Sequence, residues 1–199
     1  MNYPEFFNEI EVIKVQDPLS AVLGAFAKGE YEFNYLDVVK SAGHSCPTVA
    51  GAYLITAQAL KALYKDETAV RGNVKVEFKE SLEDGVTGVI SNVVSQITGA
   101  TDKSGFKGLA GKFARHSLMD FDSQISSSAR FTRVDTGKCV DVIYDPSSIM
   151  PSQNMQPLMQ KMMGGLAKLS EIKEFGELWQ DRVKRIFENT QSVVRVVEV

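Results

Sequence analysis

Cysteine and histidine are scarce in this chain, which has only Cys46, Cys139, His44 and His116. Two cysteines exclude a multi-bridge disulfide scaffold and a four-cysteine zinc finger within the sequence. An excess of one charge is also lacking. The 22 Lys and Arg residues face 25 Asp and Glu, a net charge of -3. No strongly basic face is implied, so nucleic acid is not an expected partner. No apolar run approaches the roughly 20 residues that a membrane span needs. The segment Met1 to Glu11 carries acids and no base, unlike a secretory signal. These absences point to a cytoplasmic protein with no membrane partner. What is present is ordinary globular composition, 44% hydrophobic and 24% charged over 199 residues. That suits one domain with a real core and a terminal extension.

Pattern supplies the elements. Pro4 to Val15 reads as an amphipathic segment. Asp17-Pro18 suits the cap and first position of a helix over Leu19 to Ala27. Tyr31, Phe33 and Tyr35 alternate with polar residues, as a short strand or an aromatic loop. Leu36 to Ser41 has helical spacing. Pro47 to Tyr64 is the clearest helix, with Val49, Ala52, Tyr53, Thr56, Leu60 and Leu63 at spacings of three and four. Ala50, Gly51, Ala57 and Ala59 allow close packing against it. Val74, Val76 and Phe78 alternate as a strand. Val86 to Ile97 reads as a buried helix, although its β-branched residues also suit a strand. Phe113 to Phe121 and Ala129 to Val134 look like strands, and Asp135-Thr136-Gly137-Lys138 is a hairpin turn leading to Val140, Val142 and Tyr144. After the linker Met150 to Pro157, a helical hairpin spans Leu158 to Leu169 and Ile172 to Glu188, broken at Gly164-Gly165. Val193 to Val197 suits a last strand. The expected division is an α+β domain over 1–150 and a helical extension over 151–199, packed on the core or on a partner chain.

Gly43-His44-Ser45-Cys46-Pro47 carries the chemistry. Pro47 suits the first position of a helix, where an N–H has no intrahelical use. Cys46 then falls at the N-cap, facing unpaired N–H groups and the positive end of the helix dipole. Such placement lowers a thiol pKa, and the thiolate is both nucleophile and metal ligand. His44, two residues earlier, can share a zinc ion with it or stabilise the thiolate. The plainer alternative makes Cys46 a small buried hydrophobe and His44 a satisfied loop residue.

The stretch Ala42-Gly43-His44-Ser45-Cys46-Pro47, followed by a small-residue helix, resembles the Gly-His-x-Cys-Pro signature of the FmdE family, named for formylmethanofuran dehydrogenase. Thr98-Gly99-Ala100-Thr101 is similar to that family's Thr-Gly-Cys-Thr. The hairpin through Thr136-Gly137-Lys138 falls where the family has one. The resemblance covers Tyr35 to Tyr144. It implies an α+β fold with a mixed sheet flanked by helices, and a His44/Cys46 centre that holds zinc in some members. It places Thr98, Thr101 and Asn92 around a ligand pocket. Departures are clear. Thr48 stands where glycine is frequent, and Ala100 replaces a cysteine. Asn92 and Val89 occupy positions of an Asp and a Cys. The C-terminal region has no cysteine, so a helical hairpin stands in place of a zinc-finger extension. The family name reflects an operon association with a molybdenum or tungsten enzyme and fixes no reaction.

Among other residues, His116 could be a third ligand, or bind an anion with Arg115 and Lys107. A surface role for His116 and a structural role for Cys139 are the plainer readings. The glycines Gly105, Gly108 and Gly111 lack dinucleotide-motif spacing. Three functions compete. The first is a zinc-binding protein that binds or acts on a small polar molecule. The second is a haem or tetrapyrrole protein using Cys46-Pro47, with Tyr31, Phe33, Tyr35 and Tyr53 lining its pocket. The third is a non-enzymatic accessory protein of a redox enzyme. The wide apolar face of the C-terminal hairpin, from Leu158 to Phe187, favours a homodimer.

Overall fold

The computed structural model describes residues 2–199. After a 3-10 turn over Glu5–Glu9 come β1 (Ile13–Gln16), α1 (Pro18–Val22), β2 (Glu30–Phe33), α2 (Tyr35–Ala42) and α3 (Pro47–Tyr64). Then follow β3 (Ala69–Val70), β4 (Val74–Phe78), α4 (Thr87–Thr98), β5 (Met119–Asp120), β6 (Ala129–Arg133) and β7 (Cys139–Tyr144). The C-terminal part contains α5 (Met155–Met163), α6 (Leu169–Glu188), α7 (Thr190–Val193) and β8 (Val194–Glu198). The fold is α+β. Two sheets form, one ordered β2-β1-β3 and the other β5-β4-β6-β7-β8. Each holds one parallel pair, β1 with β3 and β4 with β5, among antiparallel neighbours, so both are mixed. Among the described residues no helix is long and apolar enough to cross a membrane.

Helix α3 sits at the centre. Twelve of its residues are buried, from Val49 to Tyr64. A helix apolar round most of its circumference must be covered over most of it, and α2, α4, β7, β8 and α6 all pack on it, while Lys61 stays exposed. Gly51 is what lets the sheet come close. A Cβ there would strike the Tyr144 ring, whose hydroxyl donates to the Pro47 carbonyl at 2.7 Å. The valines and isoleucines of α4 satisfy helix geometry because Val93, Val94 and Ile97 share a buried face.

Several elements differ in extent from the sequence pattern. The helix expected over Leu19 to Ala27 ends at Val22, because Gly24 and Lys28 adopt positive φ. Of the strand expected over Phe113 to Phe121, only Met119–Asp120 forms. Ala110, Phe113 and Ser117 all have positive φ, which no strand tolerates. The segment folds back on itself instead, with the Arg115 N–H donating to the Phe106 carbonyl at 2.9 Å. Helix α5 begins inside the expected linker, with Pro157 in its first turn, where a missing N–H is harmless. The segment after residue 150 returns to the core through β8, which pairs antiparallel with β7 in the register Val142 to Val196.

Asp17 ties the two sheets together. Its Oδ1 accepts the Leu19 and Ser20 N–H groups at 3.0 and 3.2 Å, capping α1, and Arg115 Nη2 at 2.6 Å. Its Oδ2 accepts the Tyr31 hydroxyl at 3.0 Å and Arg71 Nη1 at 3.1 Å. Arg71 also donates to the Ile97 and Gln96 carbonyls at the end of α4, where the helix dipole favours a cation. Burial pushes the Asp17 carboxyl up, but the Ser20 N–H and the Arg115 and Arg71 guanidiniums outweigh it and hold the pKa below 3.8. A depressed folded-state pKa means stability that is complete above the unfolded value and is lost as acid protonates the carboxylate. Asp17→Asn should therefore cost about 3 kcal/mol near neutral pH by leaving two guanidiniums without a counter-charge. It should also flatten the loss of stability between about pH 5 and pH 2. Urea melts across that range check both, and parallel pH profiles for variant and wild type would reject the assignment.

Candidate functional site

The Gly-His-Ser-Cys-Pro segment is the corner between α2 and α3. Gly43 ends α2 in the left-handed region, at φ 76, with its N–H returning to the Val39 carbonyl. Only a residue without a Cβ takes that conformation at no cost. The chain then runs extended into Cys46, the N-cap of α3, with Pro47 in the first turn. The Cys46 thiol sulfur accepts the Val49 N–H at 3.4 Å. Sulfur here takes the place of the hydroxyl or carboxylate oxygen that usually caps a helix.

His44 is exposed, and its Nδ1 lies 3.0 Å from the Ala42 carbonyl. A carbonyl can only accept, so Nδ1 carries the proton and a neutral ring leaves Nε2 with a free lone pair. Metal-binding histidines are oriented by this kind of carbonyl contact. Between the two, Ser45 is buried and its Oγ shares a hydrogen bond of 3.0 Å with the Tyr35 hydroxyl. Its carbonyl accepts Trp179 Nε1 at 2.9 Å and Gln180 Nε2 at 3.2 Å. Helix α6 thus clamps the loop directly. Burial pushes the Tyr35 and Tyr144 phenols upward, and a Cys46 thiolate adds to both shifts. Both tyrosines are therefore neutral near pH 7. Cys46 itself is only 9% exposed.

The other residues singled out by sequence are dispersed. Arg115 is buried and turned inward to Asp17, its guanidinium lying where a Cβ on Gly72 or Gly99 would fall. His116 Nδ1 contacts the Ser117 hydroxyl at 2.9 Å. Lys107 Nζ donates to the Lys103 carbonyl at 2.8 Å. Thr98 is buried, donating to the Val94 carbonyl and accepting the Ala100 N–H. The Thr101 hydroxyl donates to the Arg115 carbonyl at 2.8 Å. Asn92 is exposed on α4, away from the buried face that holds Thr98. Cys139 opens β7 and accepts the Thr132 hydroxyl at 3.4 Å. Among the described residues, no three His, Cys, Asp or Glu side chains gather closely enough to hold a metal ion. Sequence reasoning missed Ser45, Trp179, Gln180 and Tyr144 as the walls of the His44/Cys46 corner. Trp179 and Tyr144 read only as members of an apolar stripe and a strand.

Trp179→Phe keeps an aromatic ring and removes the indole N–H. The expected result is a loss of about 1 kcal/mol and faster labelling of Cys46 by a disulfide reagent, measured in a Cys139→Ser background. Unchanged labelling kinetics would show that α6 does not control access to the thiol.

One family model matches the chain, that of FmdE, described as "Molybdenum formylmethanofuran dehydrogenase operon", over residues 42–195. No curated protein matches it.

Proposed function

From the premise that the chain belongs to the FmdE family, we propose that it is a cytoplasmic metal-binding protein. Its His44/Cys46 centre takes zinc and binds or acts on a small polar ligand. The observation that carries this reading is the N-cap position of Cys46, with the Val49 N–H on its sulfur. The tether of His44 Nδ1 to the Ala42 carbonyl supports it by leaving Nε2 free. Sulfur and imidazole nitrogen are donors that zinc accepts, and a four-coordinate zinc needs two more. The donor set of this chain fits half a coordination shell. The other positions fall to the ligand, to water or to a second copy. Bound zinc would polarise a carbonyl or activate water. The chain's own residues orient the imidazole, place the Cys46 sulfur at a helix N-terminus, and wall the corner with neutral phenols and Trp179.

The haem alternative has less to draw on. The Tyr35 and Tyr53 rings are buried in the core, and the Tyr31 hydroxyl serves Asp17.

Cys46→Ala should remove most metal from protein purified without added metal, at a helix-capping cost of about 1 kcal/mol. Cys139→Ser should leave metal content unchanged. Elemental analysis of folded variants decides between them, and equal metal in Cys46→Ala and wild type would sink the reading.

We also propose a homodimer in which residues 151–199 serve as the interaction arm. Much of the apolar stripe is used internally, since Val183 and Ile186 are fully buried and Trp179 and Phe187 pack on the core. The far end of the arm remains uncovered. Met163, Leu166 and Leu169 are 77%, 79% and 86% exposed, and Met150, Met159 and Ile172 lie open as well. Met159, Met163, Leu166, Leu169 and Ile172, at this end of the α5–α6 hairpin, offer apolar surface on the order of several hundred Å², toward the ~800 Å² per partner of a standard interface. Light scattering at micromolar concentration should give a dimer for wild type and a monomer for Leu166→Glu/Leu169→Glu. A dimer that survives both substitutions would reject the arm as the interface.

A further inference from the structure

We propose that the cavity between the 3-10 turn Glu5–Glu9, α3 and the end of α6 is a second binding site, specific for a small organic ammonium ion with an apolar body. Neither His44 nor Cys46 lines it. The cavity is about 400 Å³, inside the range of roughly 300–1,000 Å³ typical of small-molecule sites. Phe6, Ile10, Leu54, Ala57 and Phe187 give it an apolar side, and Gln58, Thr190 and Gln191 add neutral polar groups. Tyr53 completes the apolar side. Its hydroxyl is already committed to the Glu11 and Phe33 carbonyls, at 2.8 and 3.0 Å. It therefore offers the cavity a ring and no free polar group. The Tyr53 and Phe187 rings meet edge to face with centroids 6.2 Å apart, which fixes the floor of the cavity.

Charge at the rim sets the sign of the ligand. Three carboxylates, Glu9, Glu11 and Glu188, stand against two ammonium groups, Lys61 and Lys184, and all five side chains are exposed. Lys61 faces Glu11 at 3.9 Å, and Lys184 faces Glu188 at 3.6 Å. Glu9 is left without a cation among the described residues. An ammonium ion with its apolar body against Phe6 and Leu54 supplies that cation and forms a charge-assisted hydrogen bond to the carboxylate. An anion of the same shape meets a net negative rim.

Calorimetric titration of the full chain with phenethylammonium and with phenylpropionate tests this. The ammonium ion should bind, and the carboxylate should bind about two- to fivefold more weakly, the scale of one exposed charge pair. Glu9→Gln should weaken phenethylammonium by a similar factor, and Ala57→Phe should abolish its binding by filling the cavity. Thermal melts establish that both variants are folded, and Glu9→Gln alone suffices if Ala57→Phe is not. Cys46→Ala should leave this binding unchanged, which separates it from the metal reading. Absence of phenethylammonium binding, equal binding of the two probes, or undiminished binding in Glu9→Gln or in folded Ala57→Phe would overturn the proposal.

Discussion

A helix that is apolar round most of its circumference is stable in water only when most of it is covered, and α3 imposes that condition on the rest of the chain. Its burial requires helices on one side, the five-stranded sheet on another, and α6 to close the remaining face. Three of these neighbours also touch the corner at its N-terminus. Tyr35 comes from α2, Tyr144 from β7, and Trp179 and Gln180 from α6. The site is therefore a by-product of covering the helix. The contacts that hide apolar surface along its length hold the His44–Cys46 segment at its end.

The Asp17 carboxylate plays a complementary part at the other end of the fold. It receives five donors, two of them guanidinium groups. One acid between two cations, Arg115 buried and Arg71 half-buried, is unbalanced by itself. The carbonyls at the C-terminus of α4 supply the missing negative potential through Arg71. The loop holding Arg115, the capped α1 and the end of α4 are joined in this way without an extended sheet between them.

Legibility in the sequence followed range. Helix α3 appears at its full extent, Pro47 to Tyr64, because Pro47, the small residues and the apolar spacing are all local. The β6–β7 hairpin is equally plain from its turn. The N-cap position of Cys46 follows from Pro47 alone. FmdE membership is readable from a few residues in the right order, and the family match extends past them to residue 195. What escaped was long-range. Arg115 reads as an anion contact from its polar neighbourhood, but its partner lies 98 residues away in sequence. Two-residue strands such as β3 and β5 carry no period to detect. The segment over 113–118 mimics a strand in composition, and the positive φ angles of Phe113 and Ser117 depend on contacts that the local pattern does not record.

The clamp on Ser45 has a consequence for how the protein is made. The carbonyl that Trp179 holds belongs to a residue synthesised 134 positions earlier. Emergence from the ribosome is vectorial, at roughly 5–20 residues per second. For several seconds the nascent chain carries the Ser45 carbonyl without the indole N–H that later holds it. During that interval the turn between α2 and α3 lacks both of its α6 donors, Trp179 and Gln180. Forming the corner and clamping it are thus ordered in time by the position of one tryptophan in the chain.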